Sequence, residues 1–213
     1  MSKLVAGLVD YDMGNLKSVS KALEKVGMKV RTVDSPGKMK GLNALVLPGV
    51  GSFRAAVRNL RTRRLFSPVR NWILSEKPFL GICLGYQLLF ERGQEGGRLE
   101  KGLGVFKGKI EKFSPSSSLK VPHMGWNQVK REKNSLAGKI FKAIPDRSYF
   151  YFVHSYFPVP RDSKITAGRT AYGKNFSSCI AWNNSFACQF HPEKSGDNGL
   201  KLLRNFAGNI RAC

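Results

Sequence analysis

Apolar runs of strand length alternate with an amphipathic stretch in the first fifty residues. Residues 4–9 and 44–47 are continuous apolar runs, the pattern of buried parallel strands, and Lys29–Val33 has the pattern of a further strand. Residues 14–26 carry apolar side chains at helical spacing, and Gly27 is placed to end that helix. This alternation with short connections predicts a mostly parallel central sheet flanked by helices.

The second half of the chain is richer in short β patterns. Strands are predicted at residues 105–106, 109–113, 125–130, 149–153, 165–170, 178–182 and 186–190, with loops at 93–104 and 114–118. Residues 197–210 return to helical spacing and are expected to pack against the sheet. The prediction is one α/β domain over residues 1–213, with a smaller β-rich antiparallel portion in the C-terminal half.

A short apolar strand at residues 79–82 runs into Gly81-Ile-Cys-Leu-Gly85. This is the spacing of a nucleophile elbow, with Cys83 in place of the usual serine. Such a strained strand-to-helix turn brings backbones so close that a Cβ at Gly81 or Gly85 would clash. An amphipathic helix carrying Leu84, Leu88 and Leu89 is predicted directly after Cys83, where its N-terminus would favour a thiolate. Taken alone, the pattern fits a buried structural cysteine equally well.

A catalytic cysteine needs a base, and the chain has three histidines, His123, His154 and His191. His191 follows an alternating strand that the next residue, a proline, brings to an end, so His191 and Glu193 should project together from the strand exit. Cys83, His191 and Glu193 are the components of nucleophilic acyl transfer, with Glu193 orienting the imidazole. His123 is interpreted as a hydrogen-bonded structural histidine.

The loop Pro48-Gly-Val-Gly-Ser52 contains two glycines that would let backbone N–H groups turn toward a ligand. That property suits an oxyanion hole, and the alternative is a flexible strand–helix connector. The Gly-Lys-Ser/Thr element of a phosphate loop is missing. Because residues 10–15, residues 48–53 and Cys83 all follow predicted strands, they should gather at the carboxyl edge of the sheet.

The chain is strongly basic, which raises the question of whether it binds nucleic acid or another acidic surface. There are 36 Lys and Arg residues against 14 Asp and Glu, a formal net charge of +22. Such a balance is typical of proteins that bind nucleic acid or another acidic surface, and the alternative is a solvated basic surface that can face an acidic protein partner. The basic residues are densest at 54–70, 101–112 and 130–142, and no recognised nucleic-acid-binding module accompanies them. Nucleic-acid binding is therefore disfavoured.

The spacing of the cysteines and the lengths of the apolar runs indicate which cellular environment suits the protein. Cys83, Cys179, Cys188 and Cys213 show no metal-ligand spacing, and Cys179 and Cys188 fall inside apolar strands. No apolar run reaches membrane-spanning length, and the first residues lack the pattern of a signal peptide. We expect a cytoplasmic protein with reduced thiols, no metal and no membrane.

The elbow and His191-Pro-Glu193 occur together with four further stretches, at residues 11–15, 48–53, 122–127 and 151–156. In this order they resemble the class I (triad) glutamine amidotransferases, and within them the glutaminase subunits of imidazole glycerol phosphate synthase. The resemblance runs from residue 4 to about residue 206. Two departures are small: Asp12 stands where a glycine is common, and Tyr86 replaces a usual methionine.

The resemblance implies a glutaminase without a cofactor. Glutamine would be hydrolysed through a cysteine thioester, and the ammonia would pass to a separate (β/α)8-barrel cyclase subunit in a heterodimer. That partner makes imidazole glycerol phosphate and aminoimidazole carboxamide ribotide in histidine biosynthesis. A barrel needs about 250 residues, so it is expected as a separate chain. The positive charge leaves open a paralogue that feeds ammonia to another pathway, such as amidation of a surface-polysaccharide sugar. A stand-alone cysteine hydrolase and a basic binding protein are further alternatives.

The resemblance also implies roles for individual positions. The backbone N–H groups of Val50 and Leu84 would meet the oxyanion once a peptide of the 48–53 loop has reoriented. The implied glutamine-binding positions are Gly49, Gly51, Gln87, His154, Ser155 and Tyr156. The implied positions at the partner interface are Asn15, Trp126 and Lys194, together with Tyr156.

Overall fold

The computed structural model describes residues 4–95, 98–116, 119–133 and 135–211. The first part of the chain forms β1 (Val5–Val9), α1 (Leu16–Lys25), β2 (Lys29–Val33), β3 (Ala44–Leu47), α2 (Phe53–Thr62), α3 (Phe66–Leu74), β4 (Phe79–Ile82) and α4 (Leu84–Gln87). The second part forms β5 (Phe90–Glu95), β6 (Arg98–Lys101), β7 (Phe106–Lys112), β8 (His123–Arg131), α5 (Ser135–Ile140), β9 (Ser148–His154), β10 (Tyr156–Pro160), β11 (Thr166–Tyr172), β12 (Lys174–Trp182), β13 (Ser185–Cys188) and α6 (Gly196–Arg211).

Within the described ranges, the main sheet has nine strands in the order β2-β1-β3-β4-β13-β12-β11-β8-β9. Strands β1 to β4 and β13 pair in parallel, and the strands beyond β13 pair antiparallel. The predicted α/β class is confirmed, and the antiparallel strands continue the same sheet. A second sheet, β10-β7-β5-β6, adds to the β-rich portion.

The junction strand β13 carries the chain toward His191 beside the elbow. Ala187 pairs with Gly81 of β4 on one side and with Ile180 of β12 on the other. Every residue of β3, β4 and β13 is buried, as expected for strands covered on both faces, and all of these residues except Ser185 are apolar or glycine. The sheet therefore fixes two distant chain segments side by side.

Helices cover both faces of the main sheet. One core contains Val19 of α1, Ile140 of α5 and Leu203 of α6, and the other contains Val57 of α2 and Val69 of α3. The helix predicted at residues 14–26 is confirmed as α1, and the one predicted at 197–210 is confirmed as α6. None of the described helices has the length and apolar character needed to cross a membrane.

The amphipathic helix predicted after Cys83 is wrong beyond its first turn. α4 has only four residues, and the chain enters β5 at Phe90. The carbonyl oxygens of Leu88 and Leu89 accept backbone N–H bonds from Leu103 and Val105, so they hold another segment in place of a continuing helix. The apolar spacing of Leu84, Leu88 and Leu89 reflects burial from all sides.

The loop predicted at residues 93–104 is also wrong over its first part. β5 and β6 form an antiparallel pair in which Gly93 lies opposite Glu100. A Cβ on Gly93 would lie 3.0 Å from the ring of Phe53. Glycine at this position therefore allows the strand to pack closely against Phe53, and it does not mark a flexible loop. Of the predicted 114–118 loop, residues 117 and 118 lie outside the described ranges, as does Cys213.

Several elements have no counterpart among the predictions from the sequence. Helices α2, α3 and α5 and the strand β10 were not inferred, although α2 buries one apolar face and exposes arginines on the other. The strand predicted at 186–190 ends at Cys188, and the pieces at 105–106 and 109–113 are one strand, β7.

Candidate active site

Cys83 occupies the turn between β4 and α4 with φ 55° and ψ −107°, a backbone conformation that non-glycine residues rarely adopt. A Cβ on Gly81 would lie 3.1 Å from the carbonyl oxygen of Gly85, and one on Gly85 would overlap the carbonyl oxygen of Leu47. The steric reason expected for both glycines is confirmed. The elbow holds the Cys83 side chain in a largely buried position, 5% exposed.

His191 and Glu193 are held together by the tight turn Pro192–Lys194 that follows β13. The Nδ1 of His191 lies 2.8 Å from Glu193 Oε1, and both side chains are buried. Because a carboxylate can only accept, Nδ1 carries the proton and donates it to Glu193. The other ring nitrogen, Nε2, makes no hydrogen bond of ordinary geometry with any described residue, which leaves it open toward a reacting group.

The charge of His191 is set by its two neighbours. Burial opposes protonation of the ring, but the Cys83 sulfur and the Glu193 carboxylate outweigh burial and raise the pKa of His191 to about 10. Of the two neighbours, Cys83 raises the pKa of the ring more than Glu193 does, which places the sulfur close to the open Nε2 side of His191. Catalytic hydrogen bonds are commonly loose before substrate binds. The arrangement can hold a thiolate beside an imidazolium.

The loop that carries Gly49, Val50 and Gly51 lies against the first turn of the elbow. The Leu84 N–H donates to the carbonyl oxygen of Gly49 at 3.2 Å. Of the two oxyanion donors predicted, Leu84 is thus engaged by the loop itself, and Val50 is 42% exposed. Gly51 has φ 97°, which favours glycine.

Tyr11 fixes the start of that loop. Its hydroxyl donates to the Pro48 carbonyl oxygen at 2.7 Å, and its ring is fully buried. Burial raises the pKa of Tyr11 well above its ordinary value, and the nearby Cys83 adds to the rise, so the hydroxyl stays a donor. The neighbouring Asp12 has φ 63°, which accounts for the glycine that is common at this position, and it pairs with Arg63.

Gln87, on α4, is almost completely buried beside the nucleophile. Its Nε2 donates to the Tyr156 carbonyl oxygen at 2.9 Å and to Gln189 Oε1 at 3.1 Å. Gln189 in turn places its own Nε2 3.6 Å from Cys83 Sγ. Sequence reasoning missed Gln189. Its only signal was its place two residues before His191 in an alternating strand, and that signal does not reveal a contact with sulfur.

The segment 153–156 borders the site mainly through its backbone. The Val153 carbonyl oxygen lies 4.0 Å from Cys83 Sγ, and the Ser155 carbonyl oxygen accepts from the Phe113 N–H. The His154 ring is buried, with Nδ1 2.9 Å from the Tyr156 carbonyl oxygen. Its other nitrogen lies 3.0 Å from His123 Nδ1.

His123 and His154 form a buried neutral pair. Burial lowers the pKa of His123 to about 4 and that of His154 to about 3. Since a carbonyl oxygen only accepts, His154 donates from Nδ1 to Tyr156 and accepts from His123, whose Nε2 then accepts from the Asn127 side chain at 3.1 Å. The structural interpretation of His123 agrees with these contacts.

The residues expected at a partner interface lie on three parts of the chain: the strand β8, the Pro192–Lys194 turn and the start of α1. Trp126 is 55% exposed on the outer face of the β8–β9 pair, opposite Tyr151, and Met124 and Tyr149 are exposed on the same face. Lys194 places its Nζ 5.8 Å from the centre of the Tyr151 ring. Asn15 accepts from the Ser18 N–H with its side chain and so caps α1.

Within the described residues, no group of three His, Cys, Asp or Glu side chains is placed to hold a metal ion. Cys179 and Cys188 are buried, and burial raises the pKa of both thiols well above the ordinary value. Their assignment to the core is confirmed.

Comparisons with known proteins match almost the whole chain. The family model "Glutamine amidotransferase class-I" matches residues 7–210. The "Imidazole glycerol phosphate synthase subunit HisH" of Thermosynechococcus vestitus is 46% identical over 212 residues, which cover 99% of this chain and 100% of that protein. The protein of the same name from Desulfitobacterium hafniense is 44% identical over 200 residues, covering 94% and 92%. The solved structure of PurLQS from Thermotoga maritima superposes with a TM-score of 0.73 at 19% identity, covering 97% of this chain and 99% of that one, a likeness of fold alone.

Proposed function

The chain belongs to the class I glutamine amidotransferase family, and on that premise we propose that it is the glutaminase subunit of an imidazole glycerol phosphate synthase. One observation carries the assignment of roles. The elbow cysteine, Cys83, lies beside a histidine whose far nitrogen is bonded to a buried carboxylate, all at one edge of the sheet. Near full-length relatives with this enzyme's name support the pathway.

The first half of the reaction forms a thioester on Cys83. The thiolate attacks the side-chain amide carbon of glutamine, and the carbonyl π electrons move to the oxygen. His191, protonated at Nε2, gives this proton to the leaving nitrogen as the C–N bond breaks, so ammonia departs. Glu193 holds Nδ1–H and stabilises the imidazolium before the proton leaves.

The second half returns the enzyme to its starting state. Neutral His191 takes a proton from water as the oxygen attacks the thioester carbon. The C–S bond then breaks, glutamate leaves, and Cys83 is again a thiolate beside a protonated His191. Gln87, Gly49, Gly51 and the 154–156 segment are the proposed glutamine-binding positions.

The oxyanion hole requires a change in the loop. Turning the Gly49–Val50 peptide would remove the Gly49 carbonyl oxygen from Leu84 N–H and bring the Val50 N–H toward the same point. A single rotation of this peptide would thus replace the Gly49 carbonyl oxygen, an acceptor, with the Val50 N–H, a donor. The Tyr11–Pro48 hydrogen bond limits the movement to residues after Pro48. Each donor to the oxyanion is worth roughly 3–4 kcal/mol in comparable enzymes.

A partner subunit is needed to use the product. Ammonia released into neutral water is protonated and ceases to be a nucleophile, so it must reach the synthase active site through a sheltered path. We assign that role to a separate (β/α)8-barrel cyclase, bound at the exposed β8–β9 face with Trp126 and at Asn15, Tyr156 and Lys194. Exposed aromatic side chains beside a site are typical centres of binding energy. The reactive thiol suits a reducing compartment, the cytoplasm.

Reconstitution tests this function. The (β/α)8 cyclase with its nucleotide substrate should form imidazole glycerol phosphate from ammonium salts alone, and from glutamine only when this chain is added. Product formed from glutamine at the level seen with ammonium would support the histidine pathway. Product from ammonium salts but none from glutamine, with this chain folded as judged by circular dichroism, would favour the paralogue that serves another pathway.

A further inference from the structure

Gln189 is fully buried on the short connection between β13 and His191, and its side chain faces the nucleophile. Its backbone N–H bonds the Ser178 carbonyl oxygen at 2.8 Å, which anchors the residue to the sheet. Resting on the proposed function, in which Cys83 is the nucleophile, we propose that Gln189 is a positioning residue that holds the Cys83 sulfur as a thiolate, and that Gln87 sets the orientation of the Gln189 amide.

The orientation of both amides follows from hydrogen-bond chemistry. The Tyr156 carbonyl oxygen can only accept, so Gln87 must present its NH2 group to it. The second hydrogen of that NH2 group goes to Gln189 Oε1, which must then be the oxygen. The Gln189 NH2 group is therefore the end that faces Cys83 Sγ, at 3.6 Å.

The reverse orientation of the Gln189 amide is opposed by its contact with Gln87. It would bring the NH2 groups of Gln87 and Gln189 against each other with no acceptor between them. In a buried site this repulsion is poorly screened by water, so the observed orientation is strongly preferred.

An N–H donor directed at sulfur favours the charged form of the cysteine. Hydrogen bonds to a charged partner are about twice as strong as those between neutral groups. The Cys83 sulfur also lies 4.0 Å from the Val153 carbonyl oxygen, whose partial negative charge disfavours a thiolate. The amide of Gln189 opposes that effect.

The charged and titratable groups near the sulfur are His191, with Glu193 behind it, and Tyr11 and Cys188. Burial keeps Tyr11 and Cys188 neutral, so His191 and Glu193 are the charged members of this set. Gln189 acts in addition to them, because its amide is uncharged and its effect does not depend on pH.

The test measures the reactivity of Cys83 in the isolated full chain, without glutamine or partner. The rate of alkylation by iodoacetamide is followed from pH 5 to 10, and mass spectrometry of peptides identifies the Cys83 product. In Gln189→Met, which keeps the volume and removes the donor, the pH at half-maximal rate should rise by about one unit, or ~1.4 kcal/mol. Gln128→Met is the matched control, because it makes the same substitution on β8 at a residue with no contact to the sulfur. It should leave the pH at half-maximal rate unchanged.

Gln87→Met gives a second, independent readout. If Gln87 acts through Gln189, the Gln87→Met substitution by itself should raise the pH at half-maximal alkylation rate. The Gln87→Met/Gln189→Met double variant should then show no larger rise than Gln189→Met. Gln189→Asn, which keeps a buried amide but shortens its reach, is measured in parallel and should also shift upward. An unshifted midpoint in either Gln189 variant that keeps the wild-type circular dichroism spectrum overturns the proposal. Failure of the proposed function would appear separately, as loss of glutamine-dependent product in the reconstituted reaction.

Discussion

The N–H of Leu84 donates to the carbonyl oxygen of Gly49 at 3.2 Å, so a donor that we propose for the oxyanion is already engaged by the loop. The predicted donor and the predicted loop are thus in contact, in an arrangement that blocks their joint use. Chemistry at Cys83 would remain slow until the Gly49–Val50 peptide turns. In the proposed mechanism, the relation between these two residues would make glutamine hydrolysis depend on whatever favours the turned loop.

A glutamine analogue with an aldehyde in place of the amide measures this turn directly. It forms a hemithioacetal with Cys83, whose oxygen occupies the oxyanion position. Because one donor contributes about 10²–10³-fold, its affinity should rise at least about 100-fold when the cyclase and its nucleotide ligand are added. Glutamate, which forms no such adduct, is the control and should change far less. Equal changes for both ligands would show that the oxyanion hole is already formed.

Replacing Glu193 should affect the reaction rate through His191. In Glu193→Gln the 2.8 Å contact to Nδ1 loses its charge, and the amide can present an NH2 group that favours the wrong tautomer. We expect kcat in the partner complex to fall about 10²–10⁴-fold with a smaller change in KM. Glu132→Gln removes a carboxylate from an exposed ion pair with Arg169 and should leave kcat near the wild-type value. A Glu193→Gln enzyme with unchanged kcat would remove Glu193 from the catalytic group.

Gly85 should be the least replaceable glycine of the elbow. A Cβ there overlaps the Leu47 carbonyl oxygen, which is backbone and cannot move aside cheaply. Gly85→Ala should lower the free energy of unfolding by about 3 kcal/mol or more, measured by urea denaturation. Gly138 lies in α5, where an added Cβ would have nothing within 4 Å, so Gly138→Ala should stabilise by about 0.5–1 kcal/mol. Equal effects of both substitutions would contradict the steric account.

The buried histidine pair makes stability depend on pH. His123 and His154 are neutral in the fold, with pKa values of about 4 and about 3, whereas in the unfolded chain they bind protons near pH 6.5. Between these values the unfolded state holds more protons, so stability is lost as pH falls below about 6.5. Each histidine contributes at most about 1.4 kcal/mol per pH unit to the slope of the free energy of unfolding against pH.

His191, Asp34 and Glu111, whose pKa values are shifted, do not mask this loss between about pH 6.5 and 4.5. His191 has a raised pKa, so its contribution is complete below about pH 6.5 and is lost only as pH rises toward 10. Asp34 and Glu111 have lowered pKa values, so their contributions disappear only in more acid solution. Denaturation at stepped pH should show the slope in the wild type and a smaller one in His123→Asn. A free energy of unfolding that is flat over this range would contradict the neutral pair.

The sequence was informative where a pattern has one physical cause. The glycines beside Cys83 predicted steric crowding, and Pro192 predicted that His191 and Glu193 lie together, although the strand ends at Cys188 and not at the proline. Both are local effects that a few adjacent residues determine. The resemblance to a known family added roles for loop positions that spacing alone could not give.

Predictions from the sequence failed where contacts between distant parts of the chain determine the local structure. The helix predicted after Cys83 stops because residues 103–105 take the carbonyl oxygens of Leu88 and Leu89, a pairing that no local pattern reveals. Gln189 was missed for a related reason. Its amide is oriented by Gln87, 102 positions away, and by the Tyr156 backbone.

The central claim is that Cys83 hydrolyses glutamine only when a partner has prepared the site. The direct measurement is the rate of glutamate formation by the chain alone and with the cyclase and its nucleotide ligand, each repeated with Cys83→Ala. We predict an increase of about 100-fold or more on adding partner and ligand, and no reaction above background with Cys83→Ala. Full activity of the chain alone, or turnover that survives Cys83→Ala, would contradict the account.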